Sequence, residues 1–290
     1  SMSEPQSIQW FPGHMTKTKR QIEKTLKLVD AVAEIVDARV PVSSRNPILH
    51  KLIQGKPRVI LLNKADMADP QQTARWIAYY KEKGITAIAV DCRSGKGMNQ
   101  FIPTVRSVLK DKIASWERKG MVGRTIRVMV VGIPNVGKSS MINRLSKGSK
   151  AVVEDRPGVT RNNRWFTITK DFELLDTPGV LWPKFEDKTV GEHLAFTGAV
   201  KDAVVDVEQL AARLIETLRE LYPNALTSRY KLDGLDLSAM QGYEILEAIG
   251  RSRGMLISGG EINTERAAIA VLDEFRGAKL GRITLEQVRA

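Results

Sequence analysis

The sequence predicts an α/β domain, a mostly parallel sheet with helices on both faces, followed by a small all-α domain. Three observations carry this. Up to about residue 175, short β-branched apolar runs alternate with helical patterns, the order that yields a parallel sheet with crossover helices. From about Val190 only helical periodicity remains. Between two such elements, Gly132-Ile133-Pro134-Asn135-Val136-Gly137-Lys138-Ser139 matches G-x-x-x-x-G-K-[ST], a phosphate-binding loop. The boundary is placed near Pro183 to Asp187, giving units 1–185 and 186–290.

In chain order, residues 8–15 read Ile-Gln-Trp-Phe-Pro-Gly-His-Met, and a helical pattern runs from Met15 to Leu28. Its apolar face is Ile22, Leu26 and Val29, with Lys17, Lys19, Arg20, Lys24 and Lys27 elsewhere. Trp10-Phe11 fits a hydrophobic staple at the helix entry. Ala31 to Val36 is a strand ending at Asp37-Ala38-Arg39, and Asn46 to Gln54 a short helix. Arg58 to Leu62 is a strand running straight into Asn63-Lys64-Ala65-Asp66. Pro70 to Lys83 is a helix with Asp69 as its cap. Ile85 to Val90 is a strand leading into the loop Cys92–Gly97, and Met98 to Lys119 reads as one long amphipathic helix. Ile126 to Val131 is the strand before the phosphate loop, and a helix follows it to Leu145. Val153 to Arg161 is a polar loop holding Thr160. Trp165 to Thr169 and Phe172 to Leu175 pair around Lys170-Asp171, and the second ends in Asp176-Thr177-Pro178-Gly179. Asp206 caps a helix whose apolar face is Val207, Leu210, Ala211, Leu214, Ile215, Leu218 and Leu221, closed by Pro223. Ser238 to Arg253 and Asn263 to Arg276 are further helices, and Thr284 to Gln287 reads as a late capping box.

The 290 residues carry 45 Lys and Arg against 33 Asp and Glu, a net charge of +12. A basic balance of this size points to a polyanionic partner, nucleic acid above all. No apolar run is long enough to span a bilayer, and no signal-peptide pattern opens the chain, so a cytoplasmic protein without membrane contact is expected. Ser1-Met2 reads as an expression remnant. One cysteine, Cys92, excludes an intrachain disulfide, and three His with one Cys do not suggest a structural zinc site.

The motifs carry specific chemistry. The loop glycines let backbone N–H groups face a phosphate, the helix N-terminus adds partial positive charge, and Lys138 reaches the β- and γ-phosphates. Ser139 supplies a hydroxyl for Mg²⁺, and Ser140 follows it in the helix. Asp176 adds a carboxylate to the Mg²⁺ shell, and the Gly179 N–H meets the γ-phosphate. Thr160, between loop and carboxylate, can close on both. Asn63-Lys64-Ala65-Asp66 is N-K-x-D at a strand end. The Asp66 carboxylate can accept from N1–H and N2–H₂ of guanine, a donor pair adenine lacks. Asn63 can approach the O6/N7 side and the Lys64 stem can lie over the ring. Asn63 and Asp66 therefore disfavour an ATPase or kinase. The Cys92–Gly97 loop stands where a base-backing loop belongs.

This set resembles the guanine-nucleotide motifs of translation-factor-type GTPases, but N-K-x-D precedes the phosphate loop. That order is the circular permutation of the YlqF/RbgA group, the ribosome biogenesis GTPase A family. Trp10-Phe11-Pro12-Gly13-His14-Met15 and the helical tail are similar to that family too, and the likeness covers nearly the whole chain. It implies a circularly permuted P-loop GTPase domain and GTP hydrolysis coupled to late assembly of the large (50S) ribosomal subunit. It also implies contacts with 23S rRNA and with ribosomal proteins, no DNA, and a monomer. GTP or GDP and Mg²⁺ are the expected ligands. Cys92-Arg93 departs from the family's more usual Ser-Ala. The chain reads as cut just after Gly179, which makes the γ-phosphate-sensing segment continuous with the helical unit. The residue after Gly179 is Val180, which cannot orient water. His14 is the in-chain candidate, and the resemblance points to it as well; its other role is to start a helix. Asn135 resembles the K⁺-coordinating Asn of cation-activated GTPases, or else is an ordinary loop residue. The alternative function is a GTP-dependent switch on a protein or membrane target.

Overall fold

The computed structural model describes residues 14–53, 55–148, 163–176, 187–200 and 206–289, with only the backbone of residues 14–18 and 49–50. Among the described residues the six expected strands form one sheet, in the order β3-β2-β1-β4-β6-β5. They are β1 (Ala31–Asp37), β2 (Arg58–Asn63), β3 (Thr86–Ala89), β4 (Ile126–Val131), β5 (Arg164–Thr169) and β6 (Phe172–Asp176). All neighbours are parallel except the β5–β6 hairpin. Every residue of β1 is buried, which is why the central strands read as unbroken apolar runs.

Helices cover both faces. On one side Ala33, Ile35, Val128 and Val130 pack against Phe101 and Val105 of α4 (Phe101–Val108) and Met141 of α6 (Lys138–Leu145). On the other, Val32 and Met129 meet Ile22 and Leu26 of α1 (His14–Leu26), and Val36 and Ile60 meet Trp76 and Tyr80 of α3 (Pro70–Glu82). Asp69 caps α3, its carboxylate accepting the Gln71 N–H. A short α2 (Pro47–Leu52) precedes β2.

Three expected helices are corrected. The single helix over 98–119 is a 3-10 turn (Met98–Gln100), then α4, then α5 (Lys110–Arg118). Pro103 has no N–H to continue an α-helical ladder back into the first turn. Leu109, between α4 and α5, is buried in the sheet core, whereas no residue of α5 is fully buried. The helix over 238–253 shortens to α10 (Gly242–Ser252), after a separate 3-10 turn capped by Asp236. Thr284 to Gln287 starts no helix. The Thr284 hydroxyl is taken by the Asp69 N–H at 3.0 Å and the Glu286 carboxylate by the N–H groups of Val42 and Ser43.

The helical unit contains α7 (Lys188–Thr197), α8 (Val207–Leu221), α9 (Pro223–Tyr230), α10 and α11 (Thr264–Arg276). The predicted face of α8 is its buried face, with Leu210, Ala211, Leu214, Ile215 and Leu218 inside. Pro223 both ends α8 and opens α9. Gly242 lets α10 begin hard against α8, since a Cβ there would meet the Ala212 carbonyl. The two units share side chains. Val40 lies in the helical core, Leu194 of α7 in the sheet core, and Val288 against the α3 side of the sheet. Among the described residues no helix is long and apolar enough to cross a membrane.

Candidate functional site

Parallel pairing brings the expected motifs to one edge. Asp37 stands opposite Asn63, and Val130 opposite Asp176, so the C-terminal ends of β2, β1, β4 and β6 form a row. Ligands of open α/β sheets sit at this edge. A cavity of ≈ 770 Å³ opens there, lined at one end by Gly132, Lys138 and Ser139 and at the other by Lys64, Asp66 and Arg93.

At the phosphate end, Asn135 (φ 65) and Gly137 (φ 110) are both left-handed, and α6 begins at Lys138. A Cβ on Gly132 would meet Ile35 Cγ2 at 2.5 Å, so the loop lies flat over the end of β1. Lys138 Nζ donates to Asp176 Oδ1 at 2.7 Å, both side chains largely shielded. Ser139 and Ser140 line the cavity, while the Val136 side chain is buried in the sheet core. Asn135 Nδ2 reaches the Ala199 carbonyl, just beyond α7, at 3.4 Å. The donor set fits Mg²⁺, a hard cation that binds through few protein oxygens and shares substrate phosphates. The Ser139 hydroxyl at the cavity wall and the Asp176 carboxylate are oxygens that could hold it.

At the base end Asn63 is a brace. Its Nδ2 donates to the Val136 carbonyl at 2.8 Å, and its Oδ1 accepts the Cys92 N–H at 2.9 Å. Its amide joins the phosphate loop to the base-backing loop and is buried in doing so, while Asn63 also lines the cavity. Cys92 turns its side chain inward. Its Sγ packs 3.7 Å from Met98 Sδ in the core, and burial pushes the thiol up to about 12, so only its backbone faces the loop. Arg93 lines the cavity, and its carbonyl accepts from Arg144 of α6. Asp66 is 45% exposed, with Lys96 Nζ at 3.9 Å. His14 begins α1, and its side chain lies outside the described residues, as do Thr160, Gly179 and Val180.

The strand ends thus carry the N-K-x-D turn over β2 and the phosphate loop over β4. A family described as "50S ribosome-binding GTPase" matches residues 127–229. A "Ribosome biogenesis GTPase A" of Bacillus cereus is 47% identical over 279 residues, 96% of this chain and 93% of that one. The chain belongs to the ribosome biogenesis GTPase A family. Two solved structures are similar across the fold. A GDP-bound YlqF has a TM-score of 0.63 at 26% identity, covering 92% of this chain and 98% of that one. GNP-bound YlqF from T. maritima has a TM-score of 0.61 at 27% identity, covering 93% and 98%.

This ribosome biogenesis GTPase binds GTP or GDP with Mg²⁺ and hydrolyses GTP. Its site also uses residues that motif reading passed over. Asp37 holds Arg39 in a two-pronged contact, 3.0 Å to Nε and 2.7 Å to Nη2, and lies 3.9 Å from Lys64 Nζ. Burial pushes the Asp37 carboxyl up, but Arg39 and Lys64 reverse this and hold it below the usual carboxylate range. Burial lowers Lys64, with Asp37 opposing. The Asp-Ala-Arg at the end of β1, two charges beside an apolar strand, was the available signal for this cluster. From the helical unit, Arg276 lines the cavity and donates to the carbonyls of Ala195 and Phe196.

Proposed function

We propose that this GTPase acts late in maturation of the large (50S) ribosomal subunit, binding the precursor and its 23S rRNA in the GTP state and leaving on hydrolysis. The observation that carries this reading is where the charge lies. Residues 187–290 hold 13 Lys and Arg against 16 Asp and Glu, out of 45 and 33 in the chain. The preceding residues therefore hold 32 against 17, and Lys19, Arg20 and Lys24 of α1 are exposed there. The helical unit is thus acidic on balance. Phosphate contacts belong mainly to the sheet domain, with the helical unit, from about 186, adding shape and polar contacts to the particle. The 50S description of the family matched over β4 to α9 supports the same partner.

In this reading Lys138 and the loop N–H groups hold the phosphates, with Ser139, Thr160 and Asp176 serving Mg²⁺. When bound, the ion neutralises charge that builds on the phosphate oxygens. Lys138 Nζ and Asp176 Oδ1, 2.7 Å apart, stand together at this end of the cleft. Asn135 serves a K⁺ and Gly179 the γ-phosphate. His14 orients the water that Val180 cannot when the protein is on the particle. The protein works as a cytoplasmic monomer, and ribosomal proteins complete its binding surface.

The test is co-sedimentation with large-subunit precursors at graded salt, with GDP and with a non-hydrolysable GTP analogue. Binding should favour the analogue and fall steeply with salt. Binding that ignores the nucleotide would overturn the proposal. For His14→Ala, single-turnover hydrolysis on saturating particles should drop on the order of 10²-fold with binding intact.

A further inference from the structure

The turn that carries Asp66 is small and strained. Lys64 is left-handed (φ 60), and Ala65–Met67 form one 3-10 turn. Its internal ladder is two bonds, Met67 N–H to the Lys64 carbonyl and Ala68 N–H to the Ala65 carbonyl. A turn this short leaves outward backbone groups that need partners, and the direction of Asp66 depends on them.

Those partners come from the far end of the chain. Arg282 donates from Nη2 to the Ala65 carbonyl and from Nε to the Ala68 carbonyl, each at 2.8 Å. Ile283 N–H donates to the Met67 carbonyl at 3.0 Å, and the Asp69 N–H donates to Thr284 Oγ1. One residue further, the Leu285 N–H donates to the carbonyl of Arg39, whose side chain holds Asp37 beside Lys64. Residues 282–285 thus form a strap against the whole N-K-x-D turn.

We propose that Arg282 is a positioning residue for guanine selectivity, its planar fork fixing the turn at both ends so that Asp66 meets the base edge at one angle. This rests on the reading of Asp66 as the residue that accepts from guanine. Two features separate the role from general support. Ile283, Thr284 and Leu285 are buried and dock the strap by themselves, whereas Arg282 is exposed. And the two carbonyls are spanned only by a rigid multi-donor head; a lysine ammonium is a point donor on a flexible stem.

The experiment measures equilibrium affinities of the full chain for GDP and for IDP, which lacks the 2-amino group. A well-held Asp66 accepts two hydrogen bonds from GDP and one from IDP, so its geometry is read in the ratio of the two dissociation constants. Arg282→Ala should lower that ratio about fivefold, the loss of roughly one hydrogen bond, with thermal melting close to wild type. Arg282→Lys should fall between. Asp66→Ala should collapse the ratio, and adding Arg282→Ala to it should change the ratio no further. Equal weakening of GDP and IDP by Arg282→Ala, or an unchanged ratio, overturns the role of Arg282. An Asp66→Ala protein that keeps the wild-type ratio overturns the base reading beneath it.

Discussion

The two ends of the nucleotide cleft are built by different means. The phosphate end is one loop between β4 and α6, completed by Asp176 from the adjoining strand. The base end is assembled from separated stretches: Asp37–Arg39, Asn63–Asp66, the Cys92 loop and the strap at 282–285. The difference follows from what each end must recognise. A phosphate is gripped by backbone N–H groups and a helix N-terminus, which a local sequence can supply alone. Choosing guanine over another base requires one carboxylate at one angle, and a single 3-10 turn cannot hold that angle without support.

The comparison can be broken most severely at the phosphate end. Lys138→Ala removes a positive charge from the phosphate end and should reduce GTP turnover on the order of 10²-fold or more; steady-state hydrolysis checks it. At the base end, Asp66→Asn turns an acceptor into a donor and should shift preference from guanine toward xanthine nucleotide by at least about tenfold, read from GDP and XDP affinities. Unchanged preference would mean that the turn does not read the base.

Asn63→Ala sharpens the contrast, because Asn63 belongs to both ends. It leaves the Val136 carbonyl and the Cys92 N–H unpaired and should cost about 1–3 kcal/mol for each, seen in denaturant unfolding. Strong acid should weaken the base end. The Asp37 carboxyl is held below its ordinary 3.8, so its contribution to stability is complete above that value and is lost as pH falls beneath it. Asp37→Asn should remove that part of the acid transition. The smallest effect concerns Cys92. With its thiol pushed up to about 12, it should stay unmodified by iodoacetamide at pH 8 while the protein is folded. Its neutral thiol supports the fold below its ordinary value and loses that support as pH climbs toward 12.

Much of this arrangement was legible in advance. Each strand announced itself by apolar runs, α3 by Asp69 and Pro70, and α8 by its spacing, because those signals are local and burial agrees with them. Thr284 to Gln287 failed for the opposite reason. A capping box was present, but Asp69, Val42 and Ser43 offered its polar groups better partners from more than 200 residues away. The break near Leu109 has the same origin: periodicity continues through it, and only the edge of the sheet decides which turns are covered.

The sequence by itself determined the chemistry: a phosphate loop, an N-K-x-D turn and an Asp at a strand end, in an order that fixes a permuted GTPase. These are runs of adjacent residues whose function follows from backbone geometry and side-chain type. Only the tertiary structure decided that Asn63 braces two loops, that Asp37 and Arg39 stand behind Lys64, and that residues 282–285 hold the base-reading turn. Those are contacts between segments far apart in the chain. Their partners are ordinary backbone carbonyls and N–H groups, identical in every residue but proline, and only the fold selects which of them meet.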